Sequence, residues 1–340
     1  MITKTYKTWE TMSPFTQVNI NTSYKIYDNI TDATNQTNPI YNGEVLAGYT
    51  FSHLETILSQ YIKPMNNGDI TTYFKRDTGC IKTFYIYSSI DNWVTNTEEA
   101  EITLEYDWSY DTNDGKMLTN TEDRIVDNRQ ILPITTYYSG GTLTMVMVKS
   151  GGLVMYSWVA SGNAYTTCFA NLQTEYLHEN DKFYITCTND QTLNREYIVK
   201  NTCKDYCLYY LNERGGWDYF LINGKELQKD NVTNYTYKQL YNRDKTNLTG
   251  NFNTPGLTTY LKQYTETWEL NTGWIDEAKS QKVISLLLSN SIYLHNLTTG
   301  EIKPVNVSSK SVEHKTYSNQ NNKFIQYVIN VENSQEKYRM

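Results

Sequence analysis

The chain has 340 residues, more than one hydrophobic core usually serves, so it is predicted to fold into two or three domains. Its formal net charge is −7 and no run of lysine or arginine is present to neutralise phosphates, which disfavours direct nucleic-acid binding. Aromatic residues reach 14%, with 31 tyrosines, so tyrosine and tryptophan are expected to supply much of the core.

Cysteine usage and hydropathy indicate where the protein is made. The five cysteines are odd in number and scattered, which does not suit a disulfide framework, so buried thiols in a reducing cytoplasm are expected. The segment MITKTYKTWETM lacks the apolar core that a signal peptide needs. No apolar run reaches the roughly 18 residues of a transmembrane helix, so no membrane span is expected.

Residues 1–112 are predicted to form an N-terminal β domain with one embedded helix. Strand-like alternation of apolar residues occurs in three segments: 18–28, 81–89 and 101–110. Asn42-Gly43 is a strong signal for a short hairpin. The segment SHLETILSQYI is interpreted as the helix, because Ser52 and Glu55 form a capping box at its start. Its apolar stripe consists of Leu54, Ile57, Leu58 and Tyr61.

Residues 113–194 are predicted to form a β-sandwich domain of the immunoglobulin-like kind. Two Gly-Gly pairs, at 140–141 and 151–152, separate runs of alternating residues, and successive hairpins are the simplest interpretation. The segment KFYITCT, residues 182–188, is expected to be the closing strand. Turns at such regular spacing are typical of this kind of sandwich.

Residues 195–340 are predicted to form an α+β domain with a mainly antiparallel sheet and one packed helix. Asp276 is expected to cap the helix, and Ile284, Leu287 and Leu288 are expected to face inward. The strands SIYLHNL and EIKPVNV are predicted to pair across Thr298-Thr299-Gly300. In KFIQYVINVE one face is shared by four residues: Ile325, Tyr327, Ile329 and Val331. The predicted fold class is therefore mainly β, with tandem sandwich domains followed by this α+β domain.

The stretch YYLNERGGWDYFLINGK, residues 209–225, contains the most conspicuous local motif. Gly215-Gly216 lacks the spacing of a phosphate-binding loop. Flanked by strand-like residues, the pair is interpreted as a hairpin turn that needs positive φ, with Trp217 folded onto the sheet. A ligand-binding platform built on the same turn is the alternative.

No other motif supports a catalytic, cofactor-binding or metal-binding site, so none is predicted and the chain is not expected to be an enzyme. Cys203 and Cys207 lack the second ligand pair that a zinc site needs. Residues 111–115 are one residue short of the start of a calcium loop. The acidic run 98–101 is interpreted as a solvated strand face rather than a glycosidase pair. No nucleophile motif accompanies any of the four histidines: His53, His178, His295 and His314.

The C-terminal part of the chain resembles a family of structural proteins from phages of gut Bacteroidetes, including crAss-like phages. Three ordered segments carry the resemblance: CKDYCLYYLNERGGWDYFLING at 203–224, ETWELNTGWIDEAKSQKVISLLLSNSIYLHNL at 266–297 and IQYVINVENSQEKYRM at 325–340. Asn296 departs from the family pattern, in which an aspartate follows the histidine. The earlier hairpin and helix, residues 40–62, are similar to the family more weakly.

The resemblance implies a structural virion protein of a short-tailed phage, which forms an oligomeric ring in the tail or neck barrel that conducts DNA. The implied partners are identical subunits, with a dodecamer as one ring size, and neighbouring portal, ring or tail-hub proteins. DNA is expected to pass through without sequence-specific binding, and an acidic bore would repel it. The implied location is the tail or neck of the virion, after assembly in the host cytoplasm.

Two other roles in the same virion are open on the sequence. A receptor- or glycan-binding appendage would concentrate aromatic and acidic residues at one end of the domain. A tail-associated hydrolase would need a pair of carboxylates in a cleft. Ring proteins, in contrast, spread aromatic residues over their lateral faces, as the even distribution of tyrosine along this chain favours.

Overall fold

The computed structural model is mainly β, as predicted. No helix among the described residues is long and apolar enough to cross a bilayer. The structure describes the following residues: 2–7, 22–45, 54, 58, 60–62, 74–77, 81–90, 93, 97–105, 116–119, 124–137, 142–161, 165–175, 177–187, 193–200, 205–238, 257–308, 325–335 and 337–339.

The secondary structure is numbered in chain order within these residues. The strands are β1 Ile2–Lys7, β2 Thr22–Tyr27, β3 Tyr41–Val45, β4 Phe74–Asp77, β5 Ile81–Ser89, β6 Thr97–Glu105, β7 Lys116–Met117, β8 Ile125–Val126, β9 Ile131–Tyr137, β10 Thr142–Lys149, β11 Val154–Ser161, β12 Tyr165–Asn171, β13 Lys182–Cys187, β14 Arg195–Val199, β15 Tyr206–Leu211, β16 Trp217–Leu221, β17 Glu226–Lys238, β18 Leu257–Asn271, β19 Ile292–Asn296, β20 Ile302–Val307, β21 Val328–Asn333 and β22 Lys337–Arg339. The helices are α1 Ile30–Asn35, a 3-10 turn Leu172–Glu175, and α2 Glu277–Leu288.

The chain divides into two compact units. The first contains residues 1–202 and 211–219, and the second contains residues 203–210 and 220–340. The predicted division at residues 112 and 194 into three domains stays a prediction. Strand β4, which precedes residue 112, pairs with β12 in a sheet formed otherwise by the middle of the chain.

The described residues of the first unit form three sheets. Sheet A has the order β1-β6-β5-β2-β3, sheet B the order β4-β12-β9-β7, and sheet C the order β11-β10-β13-β14-β8. Antiparallel pairing prevails, except that β1 runs parallel to β6 and β14 parallel to β8. The β10–β11 turn uses Gly151 and Gly152 at φ +108° and +88°, which confirms that hairpin. An immunoglobulin-like arrangement of sheets B and C stays a prediction.

Part of the helix predicted at residues 52–62 is confirmed, and it packs against sheet A. Leu54 and Leu58 are helical and buried against alternate residues of β2 and β5, and Tyr61 is partly buried against the same cluster. The remainder of that segment, including Ile57 and the capping residues, lies outside the described residues. Burial of one apolar stripe on a sheet is what the 3.6-residue period predicts.

The predicted hairpin turn at Asn42-Gly43 is wrong. Both residues lie inside β3, where Gly43 pairs with Tyr24 and Asn42 with Lys25 of β2. Helix α1, capped by Asn29, makes the connection between these strands instead. The glycine serves packing, because the Tyr41 side chain occupies the space that a Cβ at position 43 would need.

Sheet D and helix α2 form most of the second unit, although residues 217–219 of β16 belong to the first unit. The strand order of sheet D is β16-β15-β19-β20-β21-β18-β17, and β22 pairs with β18. The predicted β19–β20 hairpin is confirmed, with Gly300 at φ +75° in its turn. The predicted shared face of Ile325, Tyr327, Ile329 and Val331 is confirmed, since all four are buried in one apolar core.

Helix α2 begins as predicted but faces the core differently. The Asp276 carboxylate accepts a hydrogen bond from the Lys279 backbone N–H at 2.8 Å, which is the expected N-cap. Val283 and Leu286 are fully buried, Ile284 and Leu287 are partly buried, and Leu288 is exposed. The predicted inward position of Leu288 is therefore wrong, because the apolar run VISLLL offers two overlapping stripes and the sheet selects the one through Val283.

The Gly215-Gly216 turn has the predicted hairpin conformation, with Gly215 at φ +78°. Its residues are anchored within the first unit by Asn212, whose side-chain amide donates to the Leu118 carbonyl at 2.8 Å. The Asn212 Oδ1 also accepts hydrogen bonds from the backbone N–H groups of Arg214 and Gly216. Trp217 is buried and meets Phe169 edge to face at 5.9 Å. The motif is therefore a hairpin turn held by hydrogen bonds of the Asn212 side chain.

Candidate functional site

The most unusual surface of the second unit is a long two-stranded ribbon. Strands β17 and β18 pair from Glu226–Leu270 to Lys238–Leu257, over the whole of β17. Strand β21 accompanies β18 only over 267–271, and β22 only over 262–264. We call residues 231–238 and 257–265 the ribbon, since over most of this length no other described strand lies beside them.

The ribbon carries its side chains in solvent on both faces. Trp268 and Leu270, at the base of β18, are buried in the core of sheet D. Further out on that same face, Val232 is 57% exposed. Every residue of 231–238 is exposed. Isolated two-stranded hairpins are marginally stable in water, so an exposed ribbon of this length is typical of a segment that contacts a partner.

A tyrosine cluster covers the opposite face near the far end of the described ribbon. The ring of Tyr260 lies 6.5 Å from that of Tyr235 and 6.2 Å from that of Tyr237. The strand register shifts between Tyr235 and Thr236, which leaves Tyr260 as the extra residue of a β-bulge. The Tyr235 hydroxyl donates to Gln263 Oε1 at 2.8 Å. The cluster therefore presents three exposed aromatic rings to solvent.

A polar cluster fixes the ribbon at its base. The Glu266 carboxylate accepts hydrogen bonds from Lys303 Nζ and Asn333 Nδ2, each at 3.0 Å. Lys303 also lies 5.4 Å from the centre of the Trp268 ring, as a cation–π contact. These contacts join β18 to β20 and β21 at the point where the ribbon leaves the sheet.

Glu226, at the start of β17, titrates unusually for a carboxylic acid. Burial, followed by the negative charge of Asp205, raises its pKa to about 7. A carboxyl group of this kind exchanges protons near neutral pH, which is a property that catalytic acids share with buried structural ones. Its position places it at the base of the ribbon rather than beside the tyrosine cluster.

Of the four histidines considered from the sequence, the structure buries His295. Its Nδ1 lies 3.1 Å from the Tyr209 hydroxyl, and it pairs across the strands with Cys207. Burial lowers the pKa of His295 to about 4, so the imidazole is neutral at physiological pH. Cys207 is a buried thiol outside any disulfide, and its Sγ–H donates to the Leu208 carbonyl at 3.9 Å. This arrangement packs two strands together and shows no activated nucleophile.

We predict that His295 makes the fold sensitive to acid. The unfolded chain has a histidine pKa of 6.5, so below that pH the unfolded state binds the proton more tightly than the folded state. The contribution of neutral His295 to the free energy of unfolding is fully present above pH 6.5. It is lost as the pH falls toward 4, by about 2 to 3 kcal/mol in total. His295→Gln should remove most of this loss in urea titrations across that pH range.

His178→Gln is the matched control for this measurement. The His178 side chain is 82% exposed, beside Asp181 at 3.7 Å. An equal flattening of the pH profile in both variants would contradict the assignment of the acid sensitivity to the buried imidazole.

The remaining sequence candidates that the structure describes do not assemble into a site. Among the described residues no group of three or more His, Cys, Asp or Glu side chains is placed to hold a metal ion. Glu101 is partly buried on β6. Cys168 and Cys187 are buried thiols outside any disulfide, as expected. The others lie outside the described residues or have side chains outside them: His53, Cys80, Glu98, Glu99, 111–115, Cys203 and His314.

The ribbon is the feature that sequence reasoning missed. Residues 226–238, ELQKDNVTNYTYK, show little alternation of apolar and polar residues because neither face is buried. The signal that could have predicted these strands is β-strand propensity, since the segment contains threonine, tyrosine and valine. No protein-family model matches the chain, and no curated protein matches it in sequence.

Proposed function

We propose that the protein is a structural component of a short-tailed phage virion, where identical copies form a ring in the tail or neck barrel through which DNA passes. The ribbon is the observation that supports this proposal. Thirteen consecutive strand residues, of which twelve are exposed, form a surface suited to contact with another protein chain. A ring requires such surfaces, because each subunit meets two neighbours through different patches.

The tyrosine content supports the same role. Tyrosine remains hydrated through its hydroxyl before assembly and contributes a large apolar area after it. On the ribbon three tyrosines are exposed and available for such a contact: Tyr235, Tyr237 and Tyr260. An obligate ring contact commonly buries more than about 2,000 Å², which a protruding ribbon helps to reach.

A second exposed surface lies in the first unit. Strand β11 ends sheet C among the described strands, and the stretch Leu153–Ser161 contains no charged residue. Leu153, Val154 and Val159 expose much of their apolar surface there. Natural proteins usually protect such edges with charge or proline, so an uncharged edge favours pairing with another chain.

Assembly of the purified full-length chain tests the proposal. We expect light scattering after size-exclusion chromatography to give a mass of many subunits, and negative-stain electron microscopy to show closed rings with a central channel. A chain that stays monomeric at all concentrations, or that turns over a polysaccharide in a zymogram, would contradict the proposed role.

The tyrosine cluster favours one alternative, a glycan-binding appendage of the same virion. Exposed aromatic rings are suited to stacking against sugar rings, and here three of them converge on one ribbon face. Binding of the isolated protein to a glycan array, lost on Tyr260→Ala, would support this alternative over the ring.

A further inference from the structure

The ribbon and the segment between its strands differ in charge from the remainder of the chain. Residues 231–265 contain four basic residues, Lys238, Arg243, Lys245 and Lys262, and a single acidic residue, Asp244. The whole chain has a formal net charge of −7. A basic segment is therefore carried by an otherwise acidic protein, and such asymmetry marks a segment that contacts a surface of opposite charge.

The described lysines of the ribbon lie on one face. The strand register pairs Lys262 with Asn234 and Lys238 with Leu257, and residues 234 and 238 share a face because they are four apart on one strand. Val232, paired with Tyr264, lies on the same face. We call this the basic face; it combines two cations with exposed apolar side chains. The tyrosine cluster occupies the other face.

We propose that the ribbon docks, through its basic face, on the acidic surface of a second copy of this chain. The inference rests on the proposed ring and identifies the element that links its subunits. Charge complementarity selects the partner, because the chain without the ribbon is more acidic than the chain as a whole. Eight residues of extended strand, 231–238, reach roughly 25 Å, enough to cross onto a neighbouring subunit.

A second copy fits this surface better than DNA does. Only two lysines stand on the basic face of the described ribbon, and between them lie apolar and uncharged polar side chains. Duplex DNA presents one negative charge per roughly 1.7 Å, so proteins that bind it by charge use a denser row of cations. Apolar side chains next to isolated charges are typical of protein interfaces.

Charge reversal on the ribbon tests the proposal. In the full-length protein, K238E/K262E should weaken ring assembly by about tenfold or more, measured as the concentration dependence of the mass by light scattering. The far-UV circular dichroism spectrum should stay unchanged, since both side chains are solvated. Assembly of the unmodified protein should also weaken as salt rises from about 0.15 M to 1 M, where screening shortens to about 3 Å. Lys200→Glu, at an exposed lysine of the first unit, is the matched control and should assemble normally.

A photo-reactive amino acid in place of Val232, which is exposed on the basic face, gives a second, independent measurement. In a mixture of isotopically light and heavy protein, the cross-linked peptides should join two different copies. Normal rings with K238E/K262E and cross-links confined to one copy would overturn the docking proposal and leave the ring intact. A monomeric unmodified protein would overturn both proposals. Loss of duplex DNA binding in K238E/K262E, with rings preserved, would identify DNA as the occupant and likewise overturn the proposal.

Discussion

Gly216→Ala is expected to destabilise the first unit by about 2 to 3 kcal/mol, because a methyl group there has no room. A Cβ at this position would stand 2.7 Å from the Leu118 Cβ and 2.9 Å from the Leu118 carbonyl carbon. Backbone atoms cannot move aside as a flexible side chain does. The free energy of unfolding, measured by urea denaturation followed by tryptophan fluorescence, should report the loss.

Three hydrogen bonds explain why the turn cannot shift to relieve the clash. The Asn212 amide donates to the Leu118 carbonyl, the Thr119 hydroxyl donates to the Trp217 carbonyl at 2.9 Å, and the Trp217 N–H donates to Thr135 Oγ1 at 3.0 Å. All these groups are buried, so each lost bond leaves an unsatisfied polar atom that costs about 1 to 3 kcal/mol.

Gly300→Ala is the control that separates steric overlap from backbone strain. Gly300 has φ +75° but nothing within 4 Å of its missing Cβ, so alanine there should cost only about 1 kcal/mol of conformational strain. Gly216 is not at positive φ. Equal losses in the two variants would show that close approach to Leu118 does not explain the glycine.

The sequence predicted this turn but not what holds it. Gly-Gly between strand-like runs is a local signal, and a local signal suffices for a hairpin. The partner residues Leu118, Thr119 and Thr135 lie about 80 to 100 residues away in the chain, and nothing in either segment encodes that pairing by itself. Contacts between residues this far apart in the chain cannot be predicted from local patterns in one sequence.

Ambiguous periodicity explains the two wrong details of the fold. Asn42-Gly43 has the composition of a turn, but pairing with β2 keeps it extended, so tertiary structure overrode the local preference. In α2 several consecutive apolar residues permit more than one buried stripe, and only packing on sheet D distinguishes them. Elements with one clean period, such as β5, were predicted with their observed bounds.

The ribbon was not predicted because its strands lack hydrophobic periodicity. Hydrophobic periodicity reports burial, and a strand exposed on both faces has no buried side to report. A candidate site made of surface residues therefore leaves no pattern in the sequence, apart from β propensity and the excess of basic residues over 231–265. The polar cluster at its base likewise joins residues far apart in the chain.

Removal of Glu266 from that cluster is expected to cost about 3 kcal/mol of unfolding free energy, because it leaves charged and polar groups without their acceptor. Glu266 and Lys303 retain only 9% and 22% of their side-chain exposure. In Glu266→Ala, Lys303 keeps Glu301 at 3.3 Å, but that carboxylate is well exposed and compensates weakly. Asn333 Nδ2 also loses its acceptor.

Glu269→Ala is the matched control on the same strand. Glu269 pairs with Lys229 across the ribbon's base, but both side chains are about half exposed, so its removal should cost less than about 1 kcal/mol. Because Glu266 fixes the strands beside the ribbon, its loss should also weaken ring assembly, whereas loss of Glu269 should not. Similar losses of stability in both variants would mean that the buried carboxylate does not hold the base of the ribbon. Normal rings from a destabilised Glu266→Ala protein would mean that ribbon orientation is set elsewhere.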